Sequence, residues 1–264
     1  LSSSITTIIH SAWQLDFNLP LASFEESIRG SRHLIDLVRG GPNSWNNLRG
    51  PVPEEMIEDS SIALGTGYGE SKYILQKSGL QATSLRIGQI CGGHPKGSWP
   101  PTEWFPMLVK SSVALGTFPI IDGAATWLPA DTVAKIVHDI VRSPSPPRVL
   151  NLVHPHPVEH KVIMKNVVSA IKDILGLQLQ VVGLSRWLTT LEVHAENATS
   201  DSLAKIPSAK LIGFLREVAR GKGPTSFCLE HIQHISGISS QLKQSEEGDA
   251  KRWVEYWKGV GLFD

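Results

Sequence analysis

Three short apolar runs, separated by stretches of helical periodicity, limit this chain to few architectures. Residues 5–10 (Ile-Thr-Thr-Ile-Ile-His), 81–90 (Gln-Ala-Thr-Ser-Leu-Arg-Ile-Gly-Gln-Ile) and 149–153 (Val-Leu-Asn-Leu-Val) are rich in aliphatic and β-branched residues and predict buried strands. Between them the spacing changes. Val133, Ile136, Val137, Ile140 and Val141 recur at helical intervals, Asp131 stands as a candidate N-cap, and Pro144-Ser-Pro-Pro147 stops the pattern, so 131–142 is predicted helical. A helix over 24–38 carries Ile28, Ile35 and Val38 on one stripe and ends at Gly40-Gly-Pro42. Residues 40–67 and 92–106 hold turn formers and predict loops, and further helices are expected over 106–115, 161–175, 185–195, 208–220 and 247–258. Strands alternating with amphipathic helices bury both faces of a sheet, which makes the fold class α/β with mostly parallel strands. The helical tail predicts a second lobe.

A chain of 264 residues can bury one sizeable core with a smaller lobe attached. Lys plus Arg and Asp plus Glu both number 25, so nothing in the charge balance points to a nucleic acid or an anionic membrane. Two cysteines, Cys91 and Cys228, make no disulfide framework and fit a reducing, cytoplasmic compartment. No apolar run approaches the ~18 residues of a membrane span. The chain opens on Leu1-Ser-Ser-Ser, without an initiator Met or a signal-peptide pattern, just before a predicted strand, and reads as a fragment.

Chemistry enters at Tyr68-Gly-Glu-Ser-Lys72. At the start of a predicted helix, residues four apart project from one face. A free phenol titrates near ~10, and an adjacent ammonium lowers that value by stabilising the phenolate. Tyr68 can then protonate an oxygen that becomes anionic as hydride reaches its carbon. Lys72 has donors left for the ribose hydroxyls of a nicotinamide cofactor. The competing reading of the pair is a solvated helix face.

Several segments extend that reading. They are Ile9-His-Ser-Ala-Trp-Gln-Leu-Asp-Phe-Asn-Leu19, Ile28-Arg-Gly30, Leu34-Ile-Asp-Leu37, Gly50-Pro-Val-Pro-Glu-Glu55 and Gly67-Tyr-Gly-Glu-Ser-Lys72. Further on are Gly79-Leu-Gln-Ala-Thr-Ser-Leu-Arg-Ile-Gly-Gln-Ile90, Trp127-Leu-Pro-Ala-Asp131, Asn151-Leu-Val-His-Pro155 and Trp253-Val-Glu-Tyr-Trp257. In this order they resemble the C-terminal thioester reductase domain of fungal adenylate-forming reductases and nonribosomal peptide synthetase-like enzymes, a branch of the extended short-chain dehydrogenases. The resemblance implies a partial Rossmann-like domain over 1–154, with a loop insertion over 91–126, and a helical substrate lobe over 155–264. It implies NADPH-dependent reduction of an acyl thioester, held on the phosphopantetheine of a carrier domain, to an aldehyde or alcohol. Tyr68 and Lys72 become the catalytic pair. His10, Ser11, Ala12, Tyr68, Lys72, Gly88 and Gln89 become cofactor-binding, with Gly88 and Gln89 beside the nicotinamide.

The chain also departs from that pattern. No glycine-rich turn that would hold a pyrophosphate is present, so NADPH binding is expected to be weak. Between Leu37 and Gly50 the family's strand with a carbonyl-binding Ser or Thr has no counterpart, and Ser44 is the nearest hydroxyl. Activity of the chain alone is therefore expected to be impaired, and the alternative is a non-catalytic reductase remnant or a carrier-binding pseudoenzyme. His154-Pro-His156 and His160 read as strand-end histidines rather than metal ligands, because no Cys or carboxylate cluster accompanies them. Trp99, Trp104 and Trp127 could wall an acyl pocket, though tryptophans most often pack a core.

Overall fold

The structure, a computed structural model, describes residues 9, 21–24, 51–56, 82–196, 198–220 and 226–264. In chain order, β1 (Ser84–Ile87) and β2 (Ile90–Cys91) precede α1 (Trp104–Leu115) and β3 (Thr117–Ile120). Next come β4 (Ala124–Ala125), β5 (Leu128–Pro129), α2 (Ala130–Arg142), β6 (Val149–Leu152), β7 (Val158–Glu159) and α3 (His160–Leu175). The last are β8 (Gln180–Gly183), α4 (Leu184–Glu196), α5 (Ser200–Lys205), a 3-10 turn (Pro207–Leu211), α6 (Ile212–Ala219), α7 (Glu230–Ile235), α8 (Gly237–Gln241) and α9 (Glu247–Gly259).

These elements divide into two compact units that interleave in sequence. Residues 51–56, 82–88, 134–153 and 226–241 belong to the first, and residues 89–133, 154–196, 198–220 and 242–264 to the second.

In the first unit β1 and β6 pair in parallel, Ser84 opposite Val149 and Ile87 opposite Leu152. All four residues of β6 are buried, as expected of a strand covered on both faces. The predicted strand over 81–90 is shorter and splits into β1 and β2, with Gly88 and Gln89 between them. Of the strand expected over 5–10 only Ile9 is described. It lies outside any regular element and is 66% exposed. The helix expected over 24–38 falls outside the described residues apart from Phe24, which ends a short 3-10 turn, Leu21–Phe24.

The second unit holds a larger apolar core. On α3, Ile163, Met164, Val167, Ala170 and Ile171 are buried at helical spacing, and on α9 so are Ala250, Trp253, Val254 and Trp257. Burying each large apolar side chain contributes roughly 1.5–3 kcal/mol, so these two stripes carry much of the unit's stability. A capping box opens α9, with the Glu246 amide donating to Asp249 at 2.8 Å. Parallel pairing joins β3 to β8, Phe118 opposite Val181, and β2 to β5. The β3–β8 pair was not expected from sequence. Asp131 lies inside the first turn of α2 rather than at its cap, and its carboxylate accepts the His94 amide at 2.9 Å.

Among the described residues no helix is long and apolar enough to cross a membrane. No group of three or more His, Cys, Asp or Glu is placed to hold a metal ion among them either.

Candidate functional site

Tyr68, Lys72, His10, Ser11 and Ala12 lie outside the described residues. Gly88 and Gln89 are described, and they follow the carboxyl end of β1, the end at which open α/β sheets bind ligands. The Gly88 amide donates to the Leu152 carbonyl at 2.9 Å and carries the β1–β6 pairing one residue further. The Gln89 carbonyl accepts the Leu128 amide at 2.9 Å, which fixes that residue's backbone.

The Gln89 side chain is half-buried and tightly wired. Its Nε2 donates to Glu103 Oε2 at 3.0 Å and to the Ile90 carbonyl at 2.6 Å, while its Oε1 accepts the indole N–H of Trp104. Glu103 Oε2 also accepts the indole N–H of Trp99 at 3.1 Å. Local sequence explains why Glu103 can do this. It immediately precedes α1, and its side chain makes no cap hydrogen bond to that helix, which leaves both carboxylate oxygens available. Sequence reading missed it; the available signal was one acidic residue set between two tryptophans, four before and one after.

Around this network the aromatic side chains pack as core. Trp99 and Trp127 are 1% and 4% exposed, and the ring of Trp99 lies 5.2 Å from Phe105, 5.4 Å from Trp127 and 5.2 Å from Trp253. Two more buried indoles reach carbonyls: Trp253 donates to the Gly92 carbonyl at 3.2 Å and Trp257 to the Trp99 carbonyl at 3.0 Å. Of the three tryptophans considered as pocket walls, only Trp104 keeps partial exposure.

The histidines after β6 are similarly occupied. His154 is buried, with Nδ1 accepting the His156 amide at 3.0 Å and Nε2 facing the Lys243 carbonyl at 2.9 Å. Burial pulls its pKa below the ordinary histidine value, partly opposed by its contact with the Lys243 carbonyl. His160 sits edge-on to Trp127, with centroids 5.7 Å apart, and burial lowers its pKa too, against the Asp122 and Gly123 backbone. Burial pushes the Cys91 thiol well up, so it stays protonated and unreactive.

In the first unit residues 53–55 and Arg86 meet through hydrogen bonds and charge. Arg86 donates to the Pro53 carbonyl at 2.8 Å and to the Glu55 carbonyl at 2.7 Å. Burial lowers the guanidinium to about 10, with the Glu54 charge opposing that shift, so it remains a cation at neutral pH. Glu54, 6% exposed, accepts amides of Asn151 at 3.1 Å, His231 at 2.7 Å and Ile232 at 3.3 Å.

No family model matches the chain. An adenylate-forming reductase, Nps9 of Serpula lacrymans, is 41% identical over 301 aligned residues that take in all of this chain and 27% of that protein. The chain thus spans about a quarter of that relative's length. Among solved structures, the terminal R domain of the myxalamid PKS-NRPS pathway superposes with a TM-score of 0.77 at 19% identity, covering 99% of this chain and 70% of that one. A thiolation-reductase di-domain of an archaeal nonribosomal peptide synthetase gives 0.67 at 15% identity, covering 96% and 57%. The chain is a homologue of the fungal adenylate-forming reductases with the α/β fold of a terminal reductase domain.

Proposed function

We propose that the chain is the reducing part of an adenylate-forming reductase and acts on an acyl thioester carried by the phosphopantetheine of a carrier domain. The observation that carries this reading is the match to such a reductase along the whole chain. The thiolation-reductase di-domain among the structural neighbours supports a carrier domain as partner. In this reading 1–154 serves the dinucleotide and 155–264 the acyl group, in the cytoplasm.

NADPH, when bound, supplies hydride to the acyl carbonyl carbon. Tyr68 delivers the proton to the carbonyl oxygen. Lys72 stabilises the phenolate left behind and binds the nicotinamide ribose, and Gly88 and Gln89 line the nicotinamide, with His10, Ser11 and Ala12 toward the adenosine ribose. Release of the thiol then yields the aldehyde, and a second reduction would give the alcohol. The chain's own residues thus supply the acid and its activator, while the glycine-rich turn and the carbonyl-binding hydroxyl lie outside its sequence pattern.

The test is NADPH oxidation with an acyl-pantetheine thioester, measured on the chain and on the chain preceded by a homologous nucleotide-binding segment and carrying the family's Ser/Thr strand between Leu37 and Gly50. Turnover is expected in the second, and Tyr68→Phe should lower it by about 100-fold or more. An unchanged rate in Tyr68→Phe overturns the mechanism. Carrier binding without turnover in either form would instead make the chain a non-catalytic carrier-binding remnant.

A further inference from the structure

A primary amide has two hydrogens and an oxygen with two lone pairs, and which end is which cannot be read from shape. At Gln89 the neighbours decide it. An indole N–H only donates, so the atom facing Trp104 must be the oxygen. A carboxylate oxygen already taking the Trp99 indole only accepts, so the atom facing Glu103 must be the nitrogen. The two constraints agree. Both amide hydrogens are spent, on Glu103 and on the Ile90 carbonyl, and one lone pair is spent on Trp104. What the half-buried side chain has left to offer is the second lone pair of Oε1.

We infer that Glu103 is a positioning residue that locks the Gln89 amide as a hydrogen-bond acceptor, and that Gln89 thereby selects a ligand carrying a donor at this point, the carboxamide N–H of a nicotinamide. The inference rests on the proposed function for the identity of the ligand, and on the hydrogen-bond pattern alone for its polarity. Trp99, which is buried, holds Glu103 from the core side, so the orientation is set by the protein's own groups and does not depend on the ligand. An amide free to rotate would accept or donate with equal ease and would tell a carboxamide from a ketone poorly. A fixed acceptor discriminates, because an analogue without the N–H leaves the lone pair unpaired.

The experiment compares NADP+ with its 3-acetylpyridine analogue, in which a methyl replaces the carboxamide nitrogen. Affinities come from NMR titration of the 15N-labelled chain into the millimolar range, following the Gln89 side-chain amide and the Trp99 and Trp104 indoles. NADP+ is expected to bind about tenfold more tightly than the analogue, the worth of one hydrogen bond of about 1.4 kcal/mol. Gln89→Met keeps the length but removes the acceptor, and should bring the ratio near one. Glu103→Ala should lower the ratio part of the way with Gln89 intact, because Trp104 and the Ile90 carbonyl still favour the same orientation, whereas Glu103→Gln, whose oxygen can accept both donors, should keep it.

Equal affinity of the wild-type chain for both ligands overturns the inference and leaves the cofactor reading standing. Absence of any shift with either dinucleotide at millimolar concentration overturns the cofactor reading and the inference with it. A ratio lost in Gln89→Met but kept in Glu103→Ala overturns the role of Glu103. Should Glu103→Ala fail to fold, Gln89→Met against Glu103→Gln still decides whether the acceptor is what discriminates.

Discussion

Glu54 shows how much one buried residue can organise. It gathers amides from β6 and from the start of α7, beside the Arg86 guanidinium that grips the carbonyls on either side of it. Losing the hydrogen bonds of a buried carboxylate costs about 1.5–3 kcal/mol, because the amides it accepted stay buried without partners. Glu54→Ala is therefore expected to lower stability by about that amount, and Glu54→Gln by less, since it keeps one accepting oxygen. Urea unfolding followed by far-UV circular dichroism checks this, and a Glu54→Ala loss below ~1 kcal/mol would contradict the account. Little of this was legible beforehand. The segment Gly50–Glu55 stood out only by resemblance, and the amides that Glu54 accepts lie 97 to 178 residues away, beyond the reach of any periodicity. The same holds for Glu103. Its role depends on two indole N–H groups whose direction no sequence pattern specifies. For Tyr68 and Lys72 the spacing supports the proposed role, and both residues lie outside the described ones.

At the scale of elements, the strand over 149–153 was readable because it is an aliphatic run, and all four residues of β6 are buried. Strand β1 instead buries Ser84 and Arg86 and leaves Ile87 38% exposed, which its aliphatic residues do not announce. The pair β3 and β8 was not readable, since one strand contains a proline and the other ends in glycine, and both are four residues long. The loop between β2 and α1 was expected as a loop, but its reason is visible only in contact with α9. A Cβ on Gly92 would lie 2.4 Å from the Gly97 carbonyl oxygen and 2.5 Å from Trp253. Gly97 has φ +67, and a Cβ there would come within 2.6 Å of the Arg252 backbone. Gly116, which ends α1, has nearly the same φ of +68 and no atom within 4 Å of such a Cβ. The pair separates two costs. Gly116→Ala should lose only the left-handed penalty of roughly 1–2 kcal/mol, whereas Gly97→Ala should lose that and the displacement of the loop from α9 as well. Thermal unfolding of both variants checks the order, with Gly97→Ala expected to melt lower; equal melting temperatures would mean the loop yields without cost.

On the scale of the whole molecule, the chain passes between the two compact units at Gly88 and Gln89, inside α2, and after Val153 and Gln241. Pro155 and Pro157 follow the crossing after Val153 and Ser236-Gly-Ile-Ser-Ser240 precedes the one after Gln241, whereas the crossing inside α2 has no linker composition, so composition could not locate that one. Two of the re-entry points into the second unit are joined within it by His154, whose ring faces the Lys243 carbonyl. This ties stability to pH. Both His154 and His160 have pKa values lowered by burial, so in the unfolded chain they take up protons at a pH where the folded protein still holds them neutral. The unfolded state binds more protons below the ordinary histidine value of about 6.5, and stability must therefore rise with pH in that window and be lost as pH falls through it. Protonation of His154 has a geometric cost as well, since Nδ1 would become a donor facing the His156 amide that it now accepts. Urea midpoints measured between pH 5 and 8 should fall on the acid side. His154→Gln, which keeps a donor for the Lys243 carbonyl but does not titrate, should flatten that fall while lowering the plateau near neutrality. An acid-side slope unchanged in both His154→Gln and His160→Gln would assign the loss to other groups and remove these histidines from the account.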